Sequence, residues 1–507
     1  MIDVVGVGAE GFAELPASLQ ARVLDADVVL GGARHLAMLP FEEGQVREPW
    51  PSPLRTALPA LLERFDDLDV VALASGDPLV SGIGTTLVAL QGADAVRIAP
   101  AVSSVALARA AMGWSAESCA VVSVVGRPVE LVARELAPGR RIIVLSSDGG
   151  TPVELAEMLV RLGFGASELH VLGNLGGADE THQTMTAYRV AGADPSPAER
   201  TTTTAKPTTT TAERTPMTAK PVEAHRHPLD ATPLSAALAR TLAGLRRPVP
   251  STSSGNVEAP PEPTTTTAEP VESLRDPSTR SGNEDPLAEP VEVSPLAEPV
   301  EAPSFPRLNI VAVEAAGPRS TGWAPGLPDD AYENDGQITK RDVRASALSR
   351  LQPTPGEHLW DVGAGSGSIG IEWMRAHPSC RTTAIEGHEE RAARIERNAA
   401  RLGVPGLRVV RGKAPEALAG LYAPDAVFIG GGATVPGVLD CCLEALKPGG
   451  RIVVHGVTLE TEQCIAAAHR AHGGELTRLS VETSSPIGRF TGWTPARTIT
   501  QWFWTRP

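Results

Sequence analysis

The sequence predicts an α/β protein of two globular parts that are separated by a long low-complexity tract. Short apolar runs alternate with amphipathic helical patterns on both sides of the tract, and a glycine-rich loop follows a strand in each part. Composition changes abruptly near Gly192 and changes back near Pro306, and Thr, Pro, Ala, Glu and Ser dominate between them. The 507 residues suit two or three domains, each large enough to bury a core of its own.

Charge and cysteine content exclude several classes of protein. A formal net charge of -15 leaves no electrostatic footprint for nucleic acid and no basic anchor for anionic lipid. The 5 Cys show no CxxC spacing, so neither a disulfide framework nor a zinc site is indicated. No apolar run reaches the length of a transmembrane helix, and the N-terminus opens into a strand with no basic segment before it. We expect a cytoplasmic protein with no metal, no membrane and no nucleic-acid partner.

Residues 1–190 form the first predicted α/β domain, in which Ala- and Leu-rich helices such as 102–112 and 152–162 separate the strands. The strands are predicted at 2–7, 28–30, 70–74, 96–98, 119–125, 141–145 and 168–172. A further strand at 308–313 has no partners of its own nearby. We therefore expect residues 306–318 to complete the first domain.

The tract at 191–305 is predicted to be a disordered insertion. Thr-Thr-Thr-Thr-Ala begins at Thr201, Thr208 and Thr264, and a Pro-Leu-Ala-Glu-Pro repeat begins at Pro286 and Pro295. Such a composition cannot bury enough apolar surface to offset chain entropy. Only 234–245 has a Leu and Ala spacing that could support a short helix.

Residues 319–507 form the second predicted α/β domain. Its helices are predicted at 342–351 and 369–376, and its strands at 357–362, 381–386, 407–410, 426–429 and 451–455.

The two glycine loops differ in how well they fit a nucleotide. The first, at 6–11, formally matches GxGxxG, but Pro16 interrupts the following helix, and Asp25 and Asp27 precede the second strand instead of ending it. The second follows a strand, opens a helix, and has Asp361 two positions before its first glycine. Glu386 ends the next strand, where a carboxylate can accept both ribose hydroxyls. This arrangement resembles class I S-adenosylmethionine (SAM) methyltransferases and not NAD enzymes.

The N-terminal part resembles the tetrapyrrole methylase family, whose SAM lies between two α/β subdomains. The motifs are Val5-Gly6-Val7-Gly8, Gly31-Gly32-Ala33-Arg34-His35-Leu36, Ser75-Gly76-Asp77-Pro78, Ala101-Val102-Ser103-Ser104 and Leu172-Gly173-Asn174-Leu175-Gly176-Gly177. The resemblance implies cofactor contacts at Gly76, Asp77, Pro78, Ser103, Ser104 and Asn174. Arg34 and His35 are expected to close a turn, with substrate contact as the alternative.

The C-terminal part carries Asn334-Asp335-Gly336-Gln337-Ile338-Thr339-Lys340-Arg341, the second glycine loop, and Gly412-Lys413-Ala414-Pro415. With both parts considered, the chain resembles the precorrin-6Y C5,15-methyltransferase (decarboxylating) family of cobalamin biosynthesis, with a Rossmann-like class I methyltransferase as its second domain. The resemblance implies methylation of an anionic precorrin at C5 and C15, with loss of the C12 acetate carboxyl. It also implies SAM contacts at Thr339, Asp361, Gly363, Ala364, Gly365, Ser366, Gly367, Glu386 and Ala414. For Thr339 the alternative is a helix N-cap. Lys413 stands where the family usually has Asp, and His455-Gly456 where it usually has Asn-Ala.

Methyl transfer to carbon needs alignment of donor and acceptor and exclusion of water, and no protein nucleophile. We therefore expect basic residues for substrate carboxylates at the mouth of the second loop, namely Lys340, Arg341 and Arg344, with solvated salt bridges as the alternative. His455 is the candidate proton donor for decarboxylation, against a buried residue at a strand end. Trp493, Trp502 and Trp504 are expected in the core or at a subunit interface.

Two other functions are compatible with parts of the sequence. An NAD-linked oxidoreductase could use the first loop, but it needs an acid that ends the second strand. A non-catalytic scaffold could recruit partners through the tract, although both glycine loops are intact. The resemblance also implies a homo-oligomer.

Overall fold

The computed structural model describes residues 1–194, 303–318 and 322–507. The predicted insertion at 191–305 therefore lies outside the described residues except at its two ends, and the predicted helix at 234–245 lies wholly outside them. Across the described ranges, no helix is long and apolar enough to cross a membrane.

The first sheet is wholly parallel and has the order β3-β2-β4-β1-β5, with β1 in its interior. Its apolar residues pack on both faces, with Val4 and Leu30 on one side and Val5 and Val29 on the other. Burial on both faces explains why the interior strands β2 and β4 are nearly continuous apolar runs. The strands are β1 Ile2–Val7, β2 Val28–Gly31, β3 Val46–Pro49, β4 Val70–Ser75 and β5 Val96–Ala99.

The second sheet is mixed, with the order β6-β7-β10-β8-β9. Strand β10, Asn309–Glu314, lies antiparallel between β7 and β8, with Val311 opposite both Val144 and Val171. The strand after the tract is thus an interior strand of a sheet built from the N-terminal part. The other strands are β6 Cys119–Ser123, β7 Arg141–Leu145, β8 Glu168–Gly173 and β9 Thr181–Thr186.

The third sheet has seven strands in the order β13-β12-β11-β14-β15-β19-β16, and all are parallel except β19. A separate hairpin pairs β17 with β18. The strands are β11 His358–Val362, β12 Arg381–Glu386, β13 Arg408–Arg411, β14 Ala426–Ile429, β15 Arg451–Gly456, β16 Glu475–Leu479, β17 Glu482–Ile487, β18 Phe490–Pro495 and β19 Ile499–Thr505.

Helices connect the strands and cover the sheet faces. In the first part they are α1 Ala17–Leu24, α2 Ala33–Ala37, α3 Leu54–Glu63, α4 Ile83–Gln91, α5 Ser104–Met112, α6 Thr151–Arg161 and α7 Ala187–Val190. In the second part they are α8 Arg341–Leu351, α9 Ser368–Ala376, α10 Glu389–Arg401, α11 Val438–Ala445 and α12 Leu459–His472.

Candidate functional site

The glycine loop of the second part lies where the strand order reverses. Strand β11 has β12 on one side and β14 on the other, and a ligand crevice forms at the carboxyl ends of strands at such a point. Gly363 follows β11 with a φ of 67°, and a Cβ built on it would stand 2.9 Å from the carbonyl oxygen of Gly431, beyond the end of β14. Only glycine allows the two backbones to approach so closely.

A segment that we call the strap, residues 326–340, runs over this loop before α8 begins. Gly365 has a φ of 60°, and a Cβ on it would meet the Gln337 carbonyl oxygen at 2.9 Å. The loop is therefore enclosed between the strap and the end of β14. This enclosure forms a cradle of backbone groups.

Asp361 supports the loop from below. Its carboxylate accepts a 3.0 Å hydrogen bond from the Gly370 N–H, one of the free N–H groups in the first turn of α9. Burial raises the pKa of Asp361 to about 7, and the nearby Glu386 carboxylate acts in the same direction. The buried Asp361 side chain therefore fixes the first turn of α9 and does not face the crevice.

Glu386 is the carboxylate at the crevice. One oxygen accepts the Gly365 N–H at 2.8 Å, and the other accepts the His388 N–H at 2.9 Å. A carboxylate has about four acceptor positions, so two remain for a diol. Ser366 adds a buried hydroxyl without a hydrogen-bond partner among the described residues. A glycine cradle, a fixed carboxylate and an unsatisfied hydroxyl together fit a ribose-bearing cofactor.

Arg344 lies elsewhere than the sequence predicted. Its side chain is fully buried, Nε donates to Glu372 at 2.6 Å, and the terminal nitrogens donate to Asp329, to the Thr339 carbonyl and to the Leu327 carbonyl. The guanidinium also stacks on the Tyr332 ring. Burial and these four hydrogen bonds leave Arg344 little to offer a substrate carboxylate, which argues against the role that the sequence predicts for it.

Glu372, which sequence reasoning missed, is the partner that makes this burial possible. Besides Arg344, its carboxylate accepts the N–H groups of Gly326 and Leu327 and the hydroxyl of Tyr332. Burial and the Glu372 carboxylate raise the pKa of Tyr332 well above its ordinary value. An acid within the apolar pattern of α9 was the available signal.

Asn398 and Asp335 also fix the strap, and neither was predicted to act. Asn398 is fully buried, and its Nδ2 donates to the carbonyls of Ser366 and Glu333, both at 3.0 Å. Asp335 accepts from Arg391 at 2.9 Å, and this bond is the main cause that holds the pKa of Asp335 below its ordinary range. Helix α10 thus holds the strap against the glycine loop.

The remaining predicted residues of this part lie around the crevice. Lys340 is exposed and 3.6 Å from Asp329, and Thr339 is half-buried. Ala414 follows β13, and Lys413 packs beside Gly387, next to Glu386. Among them, Lys340 lies exposed to solvent at the start of α8.

His455 is buried within β15, at the carboxyl end of the parallel strands. Its Nε2 lies 2.9 Å from Gln501 Oε1, and because that oxygen can only accept, Nε2 carries the proton. Its ring meets Phe428 edge-on with centroids 4.9 Å apart. Burial lowers the pKa of His455 to about 4, so the ring is neutral near pH 7. This arrangement disfavours the role of charged proton donor.

In the first part, the structure brings the loops after β1, β4 and β5 together. A Cβ on Gly76 would lie 3.0 Å from the Val102 carbonyl oxygen and 3.6 Å from the Ser104 nitrogen, and a Cβ on Gly6 would meet the Gly76 carbonyl oxygen. Ser103 caps α5 by accepting the Ala106 N–H at 3.1 Å. Its oxygen is therefore engaged as an acceptor, while the hydroxyl proton and the backbone groups of this loop remain for a cofactor.

Asp77, Pro78 and Asn174 complete this site. Asp77 accepts the Leu79 N–H at 2.9 Å. Pro78 is buried against two glycines, one at the N-cap of α4 and one in the first turn of that helix. Asn174 has a φ of 49° and begins the loop after β8, in which Gly177 lies near Ala9. The loops that follow β1 and β8, one from each N-terminal sheet, thus lie side by side.

Trp493, Trp502 and Trp504 do not form one cluster. Trp502 is fully buried and stacks on Trp504 with ring centroids 6.3 Å apart. Trp493 is 70% exposed on the β17–β18 hairpin, near the exposed Ile487 and Phe490.

Comparisons with known families match both parts of the chain. Residues 1–191 match the family described as tetrapyrrole (corrin/porphyrin) methylases. Residues 330–506 match the family described as the precorrin methyltransferase domain.

Similar proteins cover the whole chain. A precorrin-6Y C(5,15)-methyltransferase [decarboxylating] of Sinorhizobium sp is 37% identical over 100% of this chain and 96% of its own length. A protein of the same name from Mycobacterium tuberculosis is 35% identical over 100% of both chains. The solved C-terminal domain of precorrin-6Y C5,15-methyltransferase from Rhodobacter capsulatus is 44% identical over 36% of this chain and 100% of its own, with a TM-score of 0.35.

Proposed function

The chain belongs to the precorrin-6Y C5,15-methyltransferase (decarboxylating) family, and from that premise we propose how its activity is divided. The enzyme methylates a precorrin in cobalamin biosynthesis and removes a carboxyl group. Residues 1–190 with 306–318 would methylate C5 of a precorrin-6 type tetrapyrrole. Residues 319–507 would methylate C15 and decarboxylate the C12 acetate, and 191–305 would be an insertion. The interior position of β10 in the second sheet supports this division.

The comparisons do not support the oxidoreductase alternative. Strand β2 ends at Gly31 without an acid, so the first loop lacks the carboxylate that a dinucleotide fingerprint requires. The same loop packs closely against Gly76, which belongs to the proposed SAM site.

One SAM site in each part is the core of the proposal. In the second part, Gly363, Gly365 and Gly367 would form the cradle and Glu386 would hold the ribose, with Ala364, Ser366, Thr339 and Ala414 around it. In the first part, backbone groups of Gly76, Asp77, Pro78, Ser103, Ser104 and Asn174 would hold the second. When bound, SAM supplies an activated methyl group. Asp361 and Asn398 keep the cradle in shape, and the strap excludes water from it.

Recognition of the substrate carboxylates is the task of basic side chains. Lys340 remains a candidate, because it is exposed at the start of α8 and its contact with Asp329 is long at 3.6 Å. Arg341 lies beside it and is also exposed. Arg344 would position both by fixing the first turn of α8. His455 would line the carboxyl edge of the sheet as a neutral ring.

A homo-oligomer is part of the proposal. The resemblance implies one, and the exposed apolar side chains of the β17–β18 hairpin offer a surface for it. A cytoplasmic location likewise remains a proposal.

The observation that carries the proposal is the glycine cradle with Glu386 at the point of strand reversal. The test is incubation of the full chain with precorrin-6Y and SAM, followed by mass spectrometry of the tetrapyrrole. We expect a product with two added methyl groups and one lost CO2. In Gly365→Val we expect C5 methylation to be the only reaction that remains, because the new side chain would collide with Gln337. In Gly76→Val we expect C5 methylation to be lost. A wild-type chain that transfers no methyl group would overturn the proposal.

A further inference from the structure

Within the described ranges Arg34 is a cation without an acidic partner, and it lies at the edge of the first sheet that carries the proposed cofactor loop. It follows β2, and among the described residues its side chain makes no ion pair. Its contacts are two long ones, from Nη2 to His35 Nε2 at 3.3 Å and to Ser75 Oγ at 3.5 Å. By contrast, Arg22, Arg64 and Arg97 of the same sheet layer each pair with a carboxylate.

His35 supplies a second unsatisfied group. The ring is 9% exposed, and because arginine can only donate, Nε2 must accept from Arg34 and Nδ1 must carry the proton. Burial, followed by the Arg34 charge, lowers the pKa of His35 to about 4, which agrees with a neutral ring. Nδ1 has no hydrogen-bond partner among the described residues. Buried donors of this kind are normally satisfied in a native protein.

These groups lie beside the loop that follows β4. Ser75 is exposed and ends β4, directly before Gly76, Asp77 and Pro78. Strands β2 and β4 are parallel neighbours, so the groups that follow them lie at the same edge of the sheet. The guanidinium and the Ser75 hydroxyl thus lie together beside the proposed cofactor loop, and the buried His35 ring contacts the guanidinium through Nε2.

We propose that Arg34, with Ser75 and His35, forms a carboxylate subsite that holds one acidic side chain of the tetrapyrrole during C5 methylation. This inference rests on the proposed function. A guanidinium binds a carboxylate through two parallel N–H donors, and partial shielding from water strengthens the interaction. Leu79 and Val102, exposed on the loops after β4 and β5, would offer apolar contact to the macrocycle.

The test uses the full chain, precorrin-6Y and SAM with a ¹³C-labelled methyl group, so that NMR separates methylation at C5 from that at C15. We expect Arg34→Gln to raise the tetrapyrrole KM for C5 methylation about ten- to a hundredfold, because a hydrogen bond to a charged group is lost. Arg34→Lys should recover part of this loss, since it keeps the charge. Arg64→Gln is the matched control, because this exposed arginine pairs with Glu48 on the same sheet layer.

A second titration identifies the source of the carboxylate. S-adenosylhomocysteine carries an amino-acid carboxylate, whereas methylthioadenosine carries the same nucleoside without it. If Arg34→Gln weakens only S-adenosylhomocysteine, the subsite holds the cofactor, and our assignment to the substrate is overturned. An unchanged KM in a folded Arg34→Gln chain would also overturn it. A wild-type chain that methylates nothing would instead refute the proposed function.

Discussion

Nε of Arg344 lies 2.6 Å from a carboxylate oxygen of Glu372, and both side chains are almost wholly removed from solvent. This pair joins the first turns of α8 to α9, and through the Leu327 and Thr339 carbonyls it fixes both ends of the strap. Removing one partner of a buried ion pair destabilises the folded protein strongly, because the other charge remains unpaired in a medium of low polarity.

Arg344→Met should therefore act on stability and on the strap. We expect the free energy of unfolding of the C-terminal part to fall by about 3–5 kcal/mol, the usual cost of leaving a buried charge unpaired. Denaturation with urea measures this change, and hydrogen–deuterium exchange should show faster exchange at residues 326–340.

The control is Arg350→Met, on the same helix. Its ion pair with Glu475 lies near the surface, so its loss should cost no more than about 1 kcal/mol. If Arg344→Met instead kept full stability and raised only the tetrapyrrole KM, Arg344 would be the substrate-binding residue that the sequence predicted.

The sequence predicted the loop but not what encloses it. The pattern of Asp361, three glycines and Glu386 is local, and β11 and β12 form where their apolar runs indicate. The contact of Asn398 with Ser366 depends on how α10 packs, and no local pattern encodes it. Arg344 was assigned to the surface because charged residues are mostly exposed, whereas the acid that buries it lies 28 residues away.

Asp361 should make the stability of the C-terminal part depend on pH. Its pKa is raised from 3.8 to about 7, so between these values the folded state holds a proton that the unfolded state has lost. Stability contributed by this group therefore falls as pH rises through that window. From pH 5 to pH 7 we expect the wild type to lose about 2 kcal/mol relative to Asp361→Asn, because the slope is about 1.4 kcal/mol per pH unit well below the raised pKa and about half of that at the pKa itself.

Asp361→Asn is suitable because the amide oxygen can still accept the Gly370 N–H. Urea denaturation of both chains at several pH values gives the comparison. Parallel curves for the two chains would show that Asp361 keeps an ordinary pKa despite its burial.

Glu386 should determine the affinity of the C-terminal cofactor site alone. Glu386→Gln keeps the shape but loses the charge and one acceptor, so either the Gly365 or the His388 N–H is left without its bond. We expect the Kd of S-adenosylhomocysteine at one of two sites to rise about ten- to a hundredfold. Calorimetric titration of the full chain measures both sites together. Glu389→Gln, an exposed acid three positions later, is the control and should change neither.

The apolar hairpin should carry a subunit interface. Trp493 is 70% exposed and Phe490 66%, which is costly for a surface that meets only water. We expect Trp493→Ser to lower the mass of the full chain in light scattering, and Tyr422→Ser, at another exposed aromatic residue, to leave it unchanged. Equal masses for Trp493→Ser and the wild type would remove the hairpin from the interface.

Three of the strands that the sequence missed share one physical reason. Strands β16, β17 and β18 contain many exposed polar residues, so no apolar run announces them. Strand β10 was recognised because it is almost wholly apolar, as an interior strand must be. His455 lies between these extremes: its strand was predicted, but its pairing with Gln501 required the antiparallel β19, which was not.

That pairing leads to a distinct expectation for decarboxylation. Removal of a side chain that donates the proton in catalysis lowers the reaction rate about 10²–10⁴-fold. His455 is neutral near pH 7 because burial lowers its pKa to about 4, so we expect His455→Asn to release CO2 within about tenfold of the wild-type rate. The stability that the neutral ring contributes should be complete above pH 6.5 and lost as pH falls towards 4, because the unfolded histidine takes up the proton first. Measurement of CO2 release between pH 5 and 8 checks the first expectation, and denaturation over the same range checks the second. A loss of a hundredfold or more in a folded His455→Asn chain, with both methylations intact, would assign the proton-transfer step to His455 after all.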